Sequence, residues 1–267
     1  MVGLLHRFVG LVLNRAELAP GVVSGEMSRF RTVIFDFDST LSTLEGIEEL
    51  ASVARGEVES LTDAAMRGAI PLEEVYGRRL ELCDPSRERV EGLGKRYLEE
   101  LVPDAREVIA ALKDEGIEVK IISGGLLPAV RMAGVELGVD PDDIEAVDLE
   151  FGSDGSYLGY DRGSPLAYSG GKRVIIERWG ESLARPVMLV GDGVTDLEAK
   201  PAVDEFVVFA GVVERPAVIS MADQVVRSFS LAPVFVLALG GDLPGSSVGR
   251  ELYSKGRELL EEDMGPE

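Results

Sequence analysis

The sequence predicts an α/β fold in which a parallel sheet carries helices on both faces and a small helical insert follows the first strand. Three observations predict it. Short runs rich in β-branched residues ("TVIF", "VKII", "VMLV", "FVVF") alternate with stretches of helical spacing, the rhythm of a doubly wound parallel sheet. Between the first and second runs, residues 44–100 hold helical spacing with no strand pattern. Three of the runs end directly in polar clusters, where sheets of this kind bind ligands.

Arg31 to Phe35 reads as a short buried strand. In the insert, "IEELASVARG", "EVESLTDAAMRGA", "LEEVYGRRLEL" and "RERVEGLGKRYLEEL" predict three or four helices, with Pro71 and Pro85 where first turns would begin. The α/β rhythm resumes with the helix "PDAREVIAALKDEG", the strand "IEVKII" and a helix at about 126–138. Two extended runs flank Ser153-Asp154-Gly155 and predict a hairpin. The helix "KRVIIERWGE", strand "PVMLVG", helix "VTDLEAKP", strand "EFVVFAG" and helical C-terminal segments complete the chain. At the other end, "MVGLLHRFVGLVLNRAELAP" has an apolar run, Phe8 to Leu13, too short for a membrane span and poor as a signal peptide. It reads as a modest amphipathic helix, and residues 1–26 as an appendage. The expected organisation is therefore an appendage (1–26), a core (27–42 and 101–267) and a helical insert (43–100).

Composition narrows the function. The 267 residues are 45% hydrophobic, enough for a substantial core, and carry a formal net charge of -21. Such a surface repels nucleic acid and anionic membranes, so neither is expected as a partner. One cysteine, Cys83, allows neither an internal disulfide nor a Cys/His zinc site, which fits a reduced, cytoplasmic compartment. The one histidine, His6, is remote in sequence from every polar cluster, which argues against a histidine base.

The clusters are Asp36 and Asp38 after "TVIF", Ser123-Gly124-Gly125 after "VKII", and Asp192-Gly193 with Thr195-Asp196 after "VMLV". Parallel strands bring all three to one edge. Asp36, Asp192 and Asp196 would then face one another, and carriers of like charge this close must take up protons or a cation. Oxygen-only ligands favour Mg²⁺. Ser123 and the glycines after it offer a hydroxyl and backbone N–H groups of the kind that hold phosphate oxygens. Lys172, opening its helix, supplies a positive charge. Together these parts suit phosphoryl transfer, where positioning and charge neutralisation do most of the work.

On these residues the sequence resembles the haloacid dehalogenase superfamily of phosphohydrolases: "FDFDSTL" matches its first motif, "IISGG" its second, Lys172 its third and "VGDGVTD" its fourth. The Ser-Thr after Asp38, the "SGG" and the helical insert are similar to the phosphoserine phosphatase branch. The resemblance implies a Rossmann-like core, a helical cap over the site, and Mg²⁺. It implies Asp36 as nucleophile and Asp38 as general acid and then base, its backbone carbonyl on the metal. Asp192 would be a metal ligand and Asp196 would support the metal through water. Ser123, Gly124, Thr195 and Lys172 would hold the phosphoryl group. Glu45 would face the amine and Arg79 the carboxylate of O-phospho-L-serine, the small phosphorylated substrate implied, in the last step of serine formation. Met66 and Leu72 would line the cap, and a one-place shift would exchange Arg78 for Arg79. Three alternatives stay open: another phosphatase or phosphotransferase on this core; a receiver-like regulatory module, against which Asp38 and the long insert argue; and a catalytically silent binding protein, against which the four intact motifs argue.

Overall fold

The computed structural model describes residues 29–51 and 54–263. The appendage expected over 1–26 lies outside them. The sheet is parallel and six-stranded, in the order β3-β2-β1-β6-β7-β8: β1 is Thr32–Phe35, β2 Glu118–Leu126, β3 Ile144–Val147, β6 Val187–Gly191, β7 Glu205–Phe209 and β8 Gln224–Val226. The antiparallel hairpin expected around Ser153-Asp154-Gly155 is present as β4, Leu149–Phe151, and β5, Tyr157–Tyr160.

β1 is the central strand, and all four of its residues are buried. Val33, Ile34 and Phe35 have no measurable exposure, which is why the run is purely apolar. The packing around them is close, so truncation leaves a void. Ile34→Ala is expected to lower unfolding free energy by about 2–5 kcal/mol, read as a lower denaturant midpoint at unchanged slope.

Two strands differ from the sequence expectation. β3 and β4 read as one extended run, but Asp148 divides them: its carboxylate accepts from Leu149 N–H at 2.9 Å and its carbonyl from Asp161 N–H at 2.9 Å. The chain thus leaves the parallel sheet and enters the hairpin. β8 falls in a segment expected to be helical. It is a three-residue edge strand, too short to show periodicity. The helix expected over 194–201 is shorter, α8 being Val194–Leu197, and Pro201 follows in a 3₁₀ turn.

Among the described residues, four of the five helices between β1 and β2 form the insert: α1 Gly46–Leu50, α2 Arg55–Met66, α3 Leu72–Cys83 and α4 Arg87–Glu99. Both crossings into this segment are tied together. Ser42 and Leu101 form an antiparallel bridge, Thr43 N–H donates to Glu100 O at 2.8 Å and Val102 N–H to Leu41 O at 3.0 Å. α4 lies against α6, Leu127–Glu136, closely enough that a Cβ on Gly94 would come within 2.7 Å of Met132 Sδ. The hairpin supports the same segment from another side: Tyr160 packs on Tyr76 with ring centroids 5.2 Å apart, and Arg87 N–H donates to Gly155 O at 2.9 Å. α9, Pro216–Ile219, lies between β7 and β8, and α5, Ala105–Asp114, α10, Ala232–Ala238, and α11, Ser247–Asp263, pack on one another beside the sheet. Among the described residues no helix is long and apolar enough to cross a membrane.

Candidate active site

β1 is hydrogen-bonded to β2 on one side and β6 on the other, so its carboxyl end sits between two further strand ends. Asp36 is the residue after it, and its N–H donates to Val190 O at 2.8 Å, continuing the ladder one step. The same edge receives Asp192 immediately after β6, and Asp196 from α8. The carboxylates of Asp36, Asp192 and Asp196 approach within 4.8 Å of one another, all three buried. A Cβ on Gly191 would lie 2.2 Å from the Asp196 carboxyl carbon, so the close approach of strand and carboxylate requires glycine there. Asp196 Oδ2 accepts from Gly193 N–H at 3.1 Å, which fixes its rotamer.

Lys172 is the second residue of α7, Gly171–Trp179. Its Nζ lies 2.8 Å from Asp36 Oδ1 and 2.7 Å from Asp196 Oδ1. Burial alone would favour the neutral amine, but Asp196 and Asp36 outweigh it and hold the lysine charged. Asp36 is pushed well above the usual carboxylate range, first by burial and then by Asp196 and Asp192, with Lys172 opposing. Asp192 rises to about 7, again chiefly through burial, although Arg215 draws it down. Three buried carboxylates are thus incompletely compensated, and their donors are all oxygen. That set fits a hard divalent cation of the Mg²⁺ type.

Ser123, Gly124 and Gly125 were expected in a loop after the second strand. The structure keeps them within β2, whose pairing with β3 shifts register between Ile122 and Leu126. The register shift lets the chain stay extended while turning its groups to the site. Ser123 is buried, and its Oγ accepts from Gly125 N–H at 2.9 Å. The Gly125 amide is therefore engaged internally. Gly124 lies open to the pocket side, and its carbonyl accepts from Tyr76 O–H at 2.9 Å.

One pocket joins these groups to the helical segment. It is lined on the strand side by Asp36, Ser123, Gly124, Lys172, Asp192 and Thr195. Asp38, Glu45, Met66, Leu72 and Arg79, each expected near the substrate, line it too. Arg79 and not Arg78 faces inward. Arg78 is exposed and pairs with Glu57 at 2.5 Å, whereas Arg79 is 4% exposed. Arg79 Nη1 donates to Thr62 Oγ1 at 3.1 Å, and its Nε has no partner. Among the described residues no carboxylate lies within ion-pair distance of Arg79. Burial draws its pKa down, yet a guanidinium stays charged at neutral pH.

Asp38 is bound by the Tyr97 hydroxyl, which donates to its Oδ1. Its pKa lies well above the ordinary range. Burial is the largest cause, with Glu45 next. Glu45 accepts from Ser39 Oγ at 2.7 Å.

The sequence reading missed Arg215, Glu48, Thr62, Tyr76 and Tyr97. Arg215, in the loop after β7, is buried, donates to Asp192 Oδ2 and lies 3.8 Å from Glu45. It lies six residues beyond the end of β7, too far along its loop for the rule that found Asp36 and Asp192 directly after their strands. The others sit within helical spacing that reads as ordinary core or surface.

Four features now stand together at one sheet edge: an acidic strand end, a serine-glycine stretch, a buried lysine and an Asp-Gly turn. A model of the haloacid dehalogenase-like hydrolase family matches residues 30–204, which contain all of them. The chain belongs to this family.

Within it, this haloacid dehalogenase-like hydrolase is similar to the phosphoserine phosphatase of Bos taurus, 37% identical over 200 residues, or 74% of this chain and 89% of the relative. The chloroplastic phosphoserine phosphatase of Arabidopsis thaliana is 38% identical over 202 residues, 74% of this chain and 68% of that one. Among solved structures, a substrate-bound phosphoserine phosphatase complex superposes with a TM-score of 0.68 at 28% identity, covering 78% of this chain and 97% of that one. A phospho-aspartyl intermediate analogue of phosphoserine phosphatase gives 0.67 at 29%, covering 78% and 98%. The hydrolase is thus a phosphoric monoester hydrolase by kinship as well as by site chemistry.

Proposed function

We propose that this chain hydrolyses O-phospho-L-serine to serine and phosphate through a phosphorylated Asp36. The observation that carries the reading is Arg79: a buried guanidinium without a carboxylate partner, in the same pocket as Glu45, Lys172 and Asp36. Phosphoserine brings a carboxylate, an ammonium and a phosphate, and this pocket offers each an opposite charge. The relatives named phosphoserine phosphatase support the same substrate.

Asp36 attacks phosphorus, and the bond to the serine oxygen breaks with its electron pair on that oxygen. Asp38 gives the oxygen a proton. Water then attacks the phosphorus, Asp38 takes a proton from it, and the bond to Asp36 breaks, releasing phosphate. Lys172 offsets charge on the phosphoryl oxygens, and Ser123, Gly124 and Thr195 orient them. Asp36, the Asp38 carbonyl and Asp192 would hold Mg²⁺, with Asp196 behind them, and the bound ion would supply further neutralisation of phosphoryl charge. Residues 43–100 act as the cap that excludes bulk water while the first transfer occurs.

The test is phosphate release, with Mg²⁺ present, from L-phosphoserine, L-phosphothreonine and sugar phosphates. Phosphoserine is expected to be preferred. Arg79→Ala is expected to raise KM for phosphoserine roughly 10- to 100-fold, the loss of one charged hydrogen-bonded pair, and to spare p-nitrophenyl phosphate. Equal damage to both substrates would make Arg79 structural and leave the serine moiety unread.

A further inference from the structure

Tyr97 is wholly buried in α4, and its ring meets Phe37 edge-on with centroids 4.7 Å apart. A phenol this deep needs a partner for its hydroxyl, and a leucine or phenylalanine would fill the space without that demand. The partner is Asp38 Oδ1. The backbone is fitted to the hydroxyl as well: a Cβ on Gly46 would lie 1.9 Å from the Tyr97 oxygen, so glycine makes the room it occupies. On its other side, Asp38 Oδ2 lies toward Gly125 of β2, 3.3 Å from where a Gly125 Cβ would stand. The two oxygens of Asp38 thus have different surroundings. Oδ1 is held by Tyr97, and Oδ2 lies beside Gly125, which lines the pocket together with Asp38.

We infer that Tyr97 is a positioning residue for the reaction: its hydroxyl fixes the plane of the Asp38 carboxyl so that Oδ2 is the oxygen that exchanges a proton with the leaving group. The inference rests on the role given to Asp38 under the proposed function. The physical reason is that the side-chain torsion of a carboxyl is broad and needs an outside contact to define it. A second effect acts in the same direction. As Asp38 transfers its proton it gains negative charge, and a hydrogen bond to a charged oxygen is stronger than one to a neutral oxygen. The Tyr97 contact therefore strengthens toward the transition state and contributes to turnover more than to binding.

The experiment compares the full-length enzyme with Tyr97→Phe, Asp38→Asn and the double variant, with Mg²⁺ present. The rate of Asp36 phosphorylation is followed by rapid quench. Phenyl phosphate and p-nitrophenyl phosphate serve as substrates that differ in how much the leaving oxygen needs a proton, and L-phosphoserine is run beside them. Tyr97→Phe is expected to slow phosphorylation by phenyl phosphate and phosphoserine roughly 10- to 100-fold at nearly unchanged KM. Phosphorylation by p-nitrophenyl phosphate is expected to change by less than about threefold. The double variant is expected to be no slower than Asp38→Asn alone, because Tyr97 acts through Asp38. Equal slowing on both aryl esters, additive losses, or no loss overturns the inference. A wild-type enzyme that cleaves the aryl esters but not phosphoserine overturns the substrate reading alone and leaves the aryl comparison valid. Should Tyr97→Phe fail to fold, the wild-type protein decides by proton NMR. A downfield hydroxyl resonance that disappears in Asp38→Ala supports the contact, and no such resonance overturns it.

Discussion

Asp36→Asn is expected to abolish phosphate release from every ester tested, a loss on the order of 10⁴-fold or more, because the variant removes the nucleophile itself. The loss should be independent of leaving group, unlike that of Asp38→Asn, since no ester can be cleaved by this route without the bond to Asp36. The phospho-enzyme trapped by acid quench from radiolabelled substrate should vanish with it. The same substitution is expected not to lower the thermal midpoint. Asp36 is buried beside Asp192 and Asp196, and burial is the largest influence on its proton affinity. Its charged form is therefore held at a cost to folding, partly offset by Lys172. Asparagine removes that charge, while Lys172 keeps Asp196 at 2.7 Å. Activity and stability should thus separate, as they do where a site is kept at the expense of the fold. Retained turnover in Asp36→Asn would remove Asp36 from the role of nucleophile, and an unfolded variant would overturn the separation of activity from stability.

How far this site could be read in the sequence follows from where each residue lies. Asp36, Asp192 and Ser123 were legible because each ends an apolar strand run, and parallel strands must deliver such ends to one edge. Lys172 and Asp196 were legible by position at the start of a helix or turn beside that edge. Glu45 and Arg79 were not, because a glutamate and an arginine in helical spacing look like any solvated face; only the family resemblance picked them out. The choice between Arg78 and Arg79 lay in the periodicity all the same. The buried residues of α3 are Leu72, Val75, Tyr76, Arg79, Leu80 and Cys83, a stripe with the helical repeat that takes in position 79 and passes over 78. An arginine on an otherwise apolar stripe is the signal. Tyr97 shares such a stripe with Val90, Leu93 and Gly94, where an aromatic reads as plain core. Its role depends on which oxygen its hydroxyl meets, and that is set by the return of the chain from α4 to β2, not by local pattern. β3 was read as extended but merged with β4, because nothing in the local pattern marks the break at Asp148, and β8 escaped because a three-residue edge strand with one buried residue shows no clean period.

Removing divalent cation is the other large effect. Exhaustive chelation is expected to cut phosphate release by about 10³-fold or more, and added Mg²⁺ to restore it, because charge neutralisation is the main means of accelerating phosphoryl transfer. The structural ground is the imbalance at the strand ends. Asp36, Asp192 and Asp196 lie within 4.8 Å of one another, and the cations that touch them are Lys172 and Arg215. A phosphate entering that space would add negative charge to a cluster already short of positive charge. Activity alone does not locate the ion, so stability supplies a second readout. A ligand at about 100 times its dissociation constant adds about 2.7 kcal/mol to the folded state. For a chain of this size that corresponds to a rise in thermal midpoint of roughly 5–10 °C. Asp192→Asn is expected to lose both the rise and the activity, whereas Asp143→Asn, at a carboxylate near Lys120 on the other end of the sheet, should keep both. A midpoint unmoved by Mg²⁺, or moved equally in Asp192→Asn, would mean that the three carboxylates hold no ion and that Lys172 and Arg215 are their whole compensation.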